Sequence, residues 1–404
     1  MDGTGQQRTA GEVVLHVCTR YQRGGSERRL RDSIRALPEL RHHVLLGAES
    51  DPDLAREQTG ADRVALLPTL VREVAPARDA AALVSLWRLL RRSAYSVVVS
   101  HQSKAGVLAR LAAGAAGGLP TVHSLSMASF GPGYGTVENV LFPRLERALG
   151  PRTSAYCVVG HDLARRFAAV GVPPERLHVV RSGIPLPSRL RRRDEARRLL
   201  DARHGTTPGR RLVCYVGSLE PRKNPLLLAD LLRGLHDRAA GDAPDLLVVG
   251  DGPERERLGA RLEDLGVARH AVLTGHLPDP DDVVDALRGA DLVVLLSVAE
   301  GLPQVLVQAA AAGTPFVAHD VEGVREVLAL GARGSAVPPG RLDDVVAAVA
   351  RWLAQSPAGD LEPVADLSSW SAGSIAASWR SVFEQVLGAV PADRPSAGVV
   401  SGPA

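Results

Sequence analysis

Two cations, Arg222 and Lys223, stand side by side in SLEPRKNP, between an apolar run at 211–217 and an apolar helical stretch opening at Pro225. A strand-to-helix loop with two positive charges could neutralise a diphosphate, whose departure as a leaving group needs about two such charges. The plainer alternative is a surface turn. The segment is not a Walker loop, because the G-x-x-x-x-G-K spacing is missing. A second candidate follows the run DLVVLL at 291–296. In SVAEGLPQVLVQAAAAGTP, Glu300 precedes a short helix that Pro303 would open and Gly313 would close. A carboxylate there can accept hydrogen bonds from sugar hydroxyls, while backbone N–H groups of the helix start receive phosphate oxygens. Gln308 is a polar residue on this otherwise apolar helix, which calls for a hydrogen-bonding reason.

The first half of the chain offers looser candidates. Gly24 and Gly25 in CTRYQRGGSERRL permit a close backbone approach, and Ser26 can cap a helix beginning at Glu27. In HQSKAG, after SVVVS at 96–100, His101, Ser103 and Lys104 fall at a helix start, where N–H groups and a cation favour an anion. A capped helix with a solvated lysine is the equal alternative. His123 follows a short apolar segment and precedes a glycine-rich loop carrying Phe130 and Tyr134. Among 48 lysine and arginine residues only Lys104 and Lys223 are lysine, so each draws notice as a compact cation where a planar fork was otherwise available.

These residues need a scaffold, and a chain of 404 residues fits two domains of ordinary size. A hydrophobic content of 45% with 23% charged residues is that of a globular protein and excludes disorder except at the ends. No run is long enough to span a membrane and the polar start has no signal-peptide core, so a cytoplasmic location is expected. Cys18, Cys157 and Cys214 lie in apolar strand-like runs and are expected in the core. A net charge of +3 is too small for a nucleic-acid binder. Arg189, Arg191, Arg192, Arg193, Arg197 and Arg198 cluster, which reads as a solvated helix face with weak peripheral membrane contact as the alternative.

Short β-branched runs alternate with longer Ala/Leu/Arg-rich stretches, the pattern of β-α units around a parallel sheet. It occurs twice. Strands are expected at 13–17, 43–47, 63–67, 96–100, 155–160 and 177–180, and again at 211–217, 245–250, 271–275, 291–296 and 315–319. The prolines and glycine of SGIPLPSR at 182–189 mark a linker. The expected organisation is a disordered start over 1–10, a first Rossmann-like domain over 11–188 and a second over 189–370. A helix at 371–387 containing Trp379 and Phe383 would return to the first domain, and a disordered tail would cover 388–404.

Taken together, VGSLEPRKNP, LLVVGDGPERERL, AVLTGHLPD and SVAEGLPQVLVQAAAAGTPFVA resemble, in order and spacing, the retaining glycosyltransferases of family 4, or group 1. The first half resembles that family through GGSE, HQSKAG, TVHSLS and VVRSGI. The resemblance implies an α/β GT-B fold: two Rossmann-like parallel-sheet domains facing an interdomain cleft. It implies that Lys223 holds the donor diphosphate, Glu300 contacts donor sugar hydroxyls and His123 lies beside the reacting sugar. The donor would meet Gly24, Gly25, Gly217, Ser218, Arg222, Lys223, His276 and Leu277, then Glu300, Gly301, Leu302, Pro303, Gln304 and Gln308. His101, Lys104 and Tyr134 would face the acceptor. The family usually has arginine where Ser218 stands and a ribose-binding glutamate where Gln308 stands. Arg222 could supply the missing charge and the amide could still bond the ribose.

The resemblance further implies same-face substitution, with a donor phosphate oxygen accepting the acceptor's proton and no protein nucleophile. No metal or other cofactor is expected, since Asp279, Asp281 and Asp282 read as helix capping. The nucleotide-sugar is a co-substrate, UDP-sugar favoured over GDP-sugar, and the acceptor is a glycan, a lipid-linked saccharide or a small molecule. The rival readings are a nucleotide-sugar 2-epimerase of the same architecture and a catalytically silent sugar-nucleotide binder.

Overall fold

The computed structural model describes residues 12–22, 26–184, 190–239, 241, 243–355, 362–363 and 366–388. Gly24, Gly25, Arg189 and the expected disordered ends, except Gly388, lie outside the described residues. The chain forms two compact units, residues 1–183 with 368–404, and residues 184–367.

The first unit is built on seven parallel strands: β1 (Val13–Cys18), β2 (Arg41–Gly47), β3 (Arg63–Leu67), β4 (Val97–His101), β5 (Thr121–Leu125), β6 (Ala155–Val158) and β7 (Leu177–Val179). Their spatial order is β3-β2-β1-β4-β5-β6-β7. The second has six: β8 (Leu212–Val216), β9 (Asp245–Val249), β10 (Ala271–Gly275), β11 (Leu292–Leu295), β12 (Phe316–His319) and β13 (Gly334–Val337), in the order β10-β9-β8-β11-β12-β13. In each sheet the winding reverses beside its first strand, between β1 and β4 and between β8 and β11. Such switch points leave a crevice beyond the strands' carboxyl ends where ligands bind. Both units are thus doubly wound α/β domains.

Central strands buried on both faces read as continuous apolar runs, as VVLHVC of β1 does. Two strands went unrecognised in the sequence for opposite reasons. TVHSL of β5 is wholly buried yet three of its five residues are polar. GSAV of β13 is short, begins with glycine and closes the sheet at its edge. Helix ends follow their local chemistry. Asp279 accepts from the Asp281 N–H at 2.9 Å to start Pro280–Gly289, and Gly313, at φ 77°, ends Gln304–Ala312 in the left-handed region. The final helix, Ala372–Gly388, packs Trp379, Phe383 and Val386 into the first unit's core with Val14, Val97 and Val122. The three cysteines are free and buried, and burial pushes each thiol up to about 12.

The arginine cluster departs from a solvated face. Arg193 and Arg197, on the helix Arg193–His204, join Arg211 around the buried Asp291 carboxylate at 2.7, 3.3 and 2.9 Å. Arg191 pairs with Asp285 at 3.0 Å. Among the described arginines of the cluster, Arg192 and Arg198, both on Asp194, are the most exposed. The helix's own first-turn acids, Asp194 and Glu195, take Arg192, Arg198 and Arg191, while Arg193 and Arg197 reach Asp291, nearly a hundred positions along the chain, which apolar periodicity does not reveal.

Candidate active site

β8 and β11 are adjacent and parallel, so the loops leaving their carboxyl ends meet. After β8 the chain runs through Gly217–Ser218 into a single 3-10 turn, Pro221–Lys223, ended by Asn224 at φ 53°. Asparagine tolerates that left-handed backbone. After β11 it runs through Glu300 into Gln304–Ala312. The loops are bonded together: the Val298 N–H donates to the Arg222 carbonyl at 3.0 Å, and the Arg222 guanidinium donates to the Ala299 carbonyl at 2.9 Å. Lys223 Nζ then donates to Glu300 Oε1 at 2.5 Å, and Arg222 reaches Glu300 Oε2 at 3.4 Å. Burial alone would raise the Glu300 carboxyl, but Lys223 and Arg222 outweigh it and hold the group below its ordinary range. Lys223 and Arg222 keep 17% and 33% of their side chains exposed, so the cations can still meet a ligand while the carboxylate aims them.

The remaining donor-side candidates of this unit line the same strand ends. Gly217 sits where β8 ends, its N–H bonded to the Val249 carbonyl at 3.0 Å. Gly250, at φ 137°, approaches so closely that a Cβ would lie 1.9 Å from the Gly217 oxygen. Ser218 offers its carbonyl to the Tyr215 hydroxyl at 2.9 Å. His276 is exposed and Leu277 half-buried just past β10, while Gly301, Leu302 and Pro303 are buried ahead of the helix. Gln304 and Gln308 lie one turn apart on that helix, both half-buried.

The first unit treats its candidates differently. His123, in β5, is fully buried. Its Nδ1 lies 2.9 Å from the Ser100 hydroxyl, its ring meets Tyr156 edge-on, and its Nε2 has no partner among the described residues. Burial, with Arg110 adding to it, lowers its imidazole to about 3. His101, expected beside an acceptor, lies instead in the sheet interior. The His42 Nε2–H donates to the Leu37 carbonyl at 2.9 Å, leaving Nδ1 to accept from His16 at 3.0 Å; His16 in turn accepts from His101 at 3.3 Å. One carbonyl thereby fixes three tautomers. Lys104 is held by Asp79 at 2.5 Å and by the Glu73 carbonyl, and the Tyr134 hydroxyl donates to the Ala128 carbonyl at 2.7 Å. His101, Lys104 and Tyr134 therefore do not gather as one ligand-facing set. His16, His42, Arg110 and Glu146, which build this interior, carried no sequence signal beyond isolated polar residues in apolar runs.

Residues 24–183 match the model of the glycosyl transferase 4-like domain, and residues 197–362 match that of glycosyl transferases group 1. The chain belongs with the GT-B glycosyltransferases. This glycosyltransferase is 24% identical over 315 residues to the Escherichia coli UDP-Gal:α-D-GlcNAc-diphosphoundecaprenol α-1,3-galactosyltransferase, an alignment spanning 77% of the chain and 80% of the relative. It is 31% identical over 218 residues to the GDP-mannose-dependent α-(1-6)-phosphatidylinositol monomannoside mannosyltransferase of Mycobacterium tuberculosis, which spans 51% of the chain and only 54% of that relative. Among solved structures, HepE from Anabaena in complex with UDP superposes with a TM-score of 0.66 at 19% identity, covering 93% of this chain and 95% of that one. That likeness speaks for the fold. No helix among the described residues is long and apolar enough to cross a membrane.

Proposed function

We propose that the protein transfers a hexose from a nucleoside-diphosphate sugar to an acceptor hydroxyl with retention of configuration. The observation that carries this reading is the convergence of Lys223 and Arg222 on Glu300 at the switch point between β8 and β11. Two cations held on a buried carboxylate are pre-aimed, so little reorganisation is needed when a diphosphate acquires charge. The bond from the sugar's anomeric carbon to the diphosphate oxygen breaks, and the acceptor oxygen bonds that carbon from the same face. The acceptor's proton passes to a donor phosphate oxygen. Lys223 and Arg222 stabilise the leaving group, Glu300 accepts hydrogen bonds from sugar hydroxyls, and Gln308 takes the ribose. This assigns the leaving-group charge to side chains and requires no metal ion.

UDP is the proposed nucleotide and a lipid-borne saccharide the proposed acceptor class, because the relative aligned over most of both chains is named for UDP-Gal and a diphosphoundecaprenol-linked GlcNAc. The decisive variant is Lys223→Ala. Loss of one preorganised charge contact lowers turnover by about 10²–10³-fold. Unchanged transfer and donor hydrolysis in that variant would sink the assignment. NMR of the product's anomeric proton tests retention separately.

A further inference from the structure

The arginines at 191, 193 and 197 are taken up by carboxylates, whereas those around the helix Pro76–Arg92 are not. This helix buries Ala82, Leu86 and Leu90. Its opposite side turns Arg78, Ala81, Val84, Arg88 and Arg92 to solvent at intervals of three and four residues, one continuous stripe. Arg72, just ahead of the helix, is also exposed, and Arg91 lies over the Trp87 ring at 5.4 Å. Among the described residues none of these five arginines has a carboxylate partner. The helix's one acid, Asp79, is neutralised by Lys104. Aliphatic side chains sit among the charges: Val74 is 83% exposed and Val84 41%.

We propose that this face of the first unit docks on an anionic lipid bilayer, with the arginines at headgroup level and Val74 and Val84 entering the boundary below. The proposal is independent of the transfer reaction, though it would bring the enzyme to a lipid-borne acceptor. Surface binding of this kind combines buried apolar area with attraction to anionic lipid. Nucleic acid fits less well. A phosphate backbone gains nothing from exposed valines, and the nearest ring that could stack on a base, Trp87, is covered by Arg91.

The test is sedimentation of the full-length protein with vesicles of phosphatidylcholine alone or with added phosphatidylglycerol. Binding is expected only with the anionic lipid and should weaken as salt rises. Replacing three basic residues at roughly fivefold each lowers the partition coefficient on the order of 100-fold in Arg78→Gln/Arg88→Gln/Arg92→Gln. Val84→Asp should lower it further. These side chains hold no ion pair, so the variants fold. A control pair on the other unit, Arg192→Gln/Arg198→Gln, should leave it unchanged. Equal binding to both vesicles, or an equal loss in the control pair, overturns the proposal. So does single-stranded RNA displacing the protein from vesicles through the same three arginines.

Discussion

Each unit buries a carboxylate beside an arginine, and the two arrangements differ in what is left over. In the first unit Glu146 takes both arms of Arg110 at 2.8 Å and the Tyr156 hydroxyl at 2.8 Å. Burial works against the charge on both partners, yet the pair prevails: Arg110 is raised and Glu146 lowered. Every strong acceptor position there is filled by a buried partner. In the second unit Glu300 is equally buried, but its cations come from a loop and reach solvent. A closed pair fixes the relative places of the helices Ser103–Ala115 and Thr136–Leu149 and of β6; an open one stores a charge pattern for a ligand to complete. Similar residue types therefore give architecture in one place and a site in the other.

Acid is the broadest way to break this contrast. Burial depresses His101 and His123 to about 3 and lowers His16, His42, His43 and His178 as well, six in the first unit against His236 and His319 in the second. The unfolded chain takes up protons near the ordinary histidine value of about 6.5, and the folded one does not. Stability is thus complete above that value and falls as pH drops, by roughly 1.4 kcal/mol per pH unit for each such histidine. Hydrogen exchange followed from neutral pH to about pH 5 should show the first unit opening before the second. Opening of the second unit first would refute the asymmetry. Next in size is Arg110→Met, which strands Glu146 and should cost about 3–5 kcal/mol. Adding Glu146→Leu should recover much of that loss, as read by urea midpoints. If Arg110→Met alone is neutral, the pair is not closed.

The second unit was readable in the sequence because its chemistry is local. RKNP and AEGLP each place a side chain within a few residues of a strand end, and parallel β-α alternation supplies the rest. The first unit hid its interior because that interior joins residues far apart in the chain. The histidine chain spans β1, β2 and β4, and Arg29, from the helix Ser26–Arg35, bonds Ser124, Cys157 and Val180 at once. No short window of sequence contains both ends of such a bond. For the same reason Lys104, rare and helix-terminal, suggested a free cation, while Asp79, which claims it, lies 25 positions upstream.

The smallest effect tests a tight spot of the closed unit. Gly106 lies in the first turn of the helix Ser103–Ala115, where alanine would ordinarily be favoured over glycine by about 1 kcal/mol. A Cβ on Gly106, however, would stand 2.1 Å from His123 Cε1 and 2.7 Å from Nε2. The ring cannot step aside freely, since Ser100 holds its Nδ1 and Tyr156 flanks it. Gly106→Ala should therefore destabilise by about 1–3 kcal/mol, the usual cost of overpacking, instead of stabilising. In a His123→Ala background the clash is gone, so the same substitution should become neutral or favourable, a coupling that a double-mutant cycle measures directly. A rise in melting temperature for Gly106→Ala alone would mean that His123 does not occupy the space beneath this helix, and the closed interior would lose its keystone.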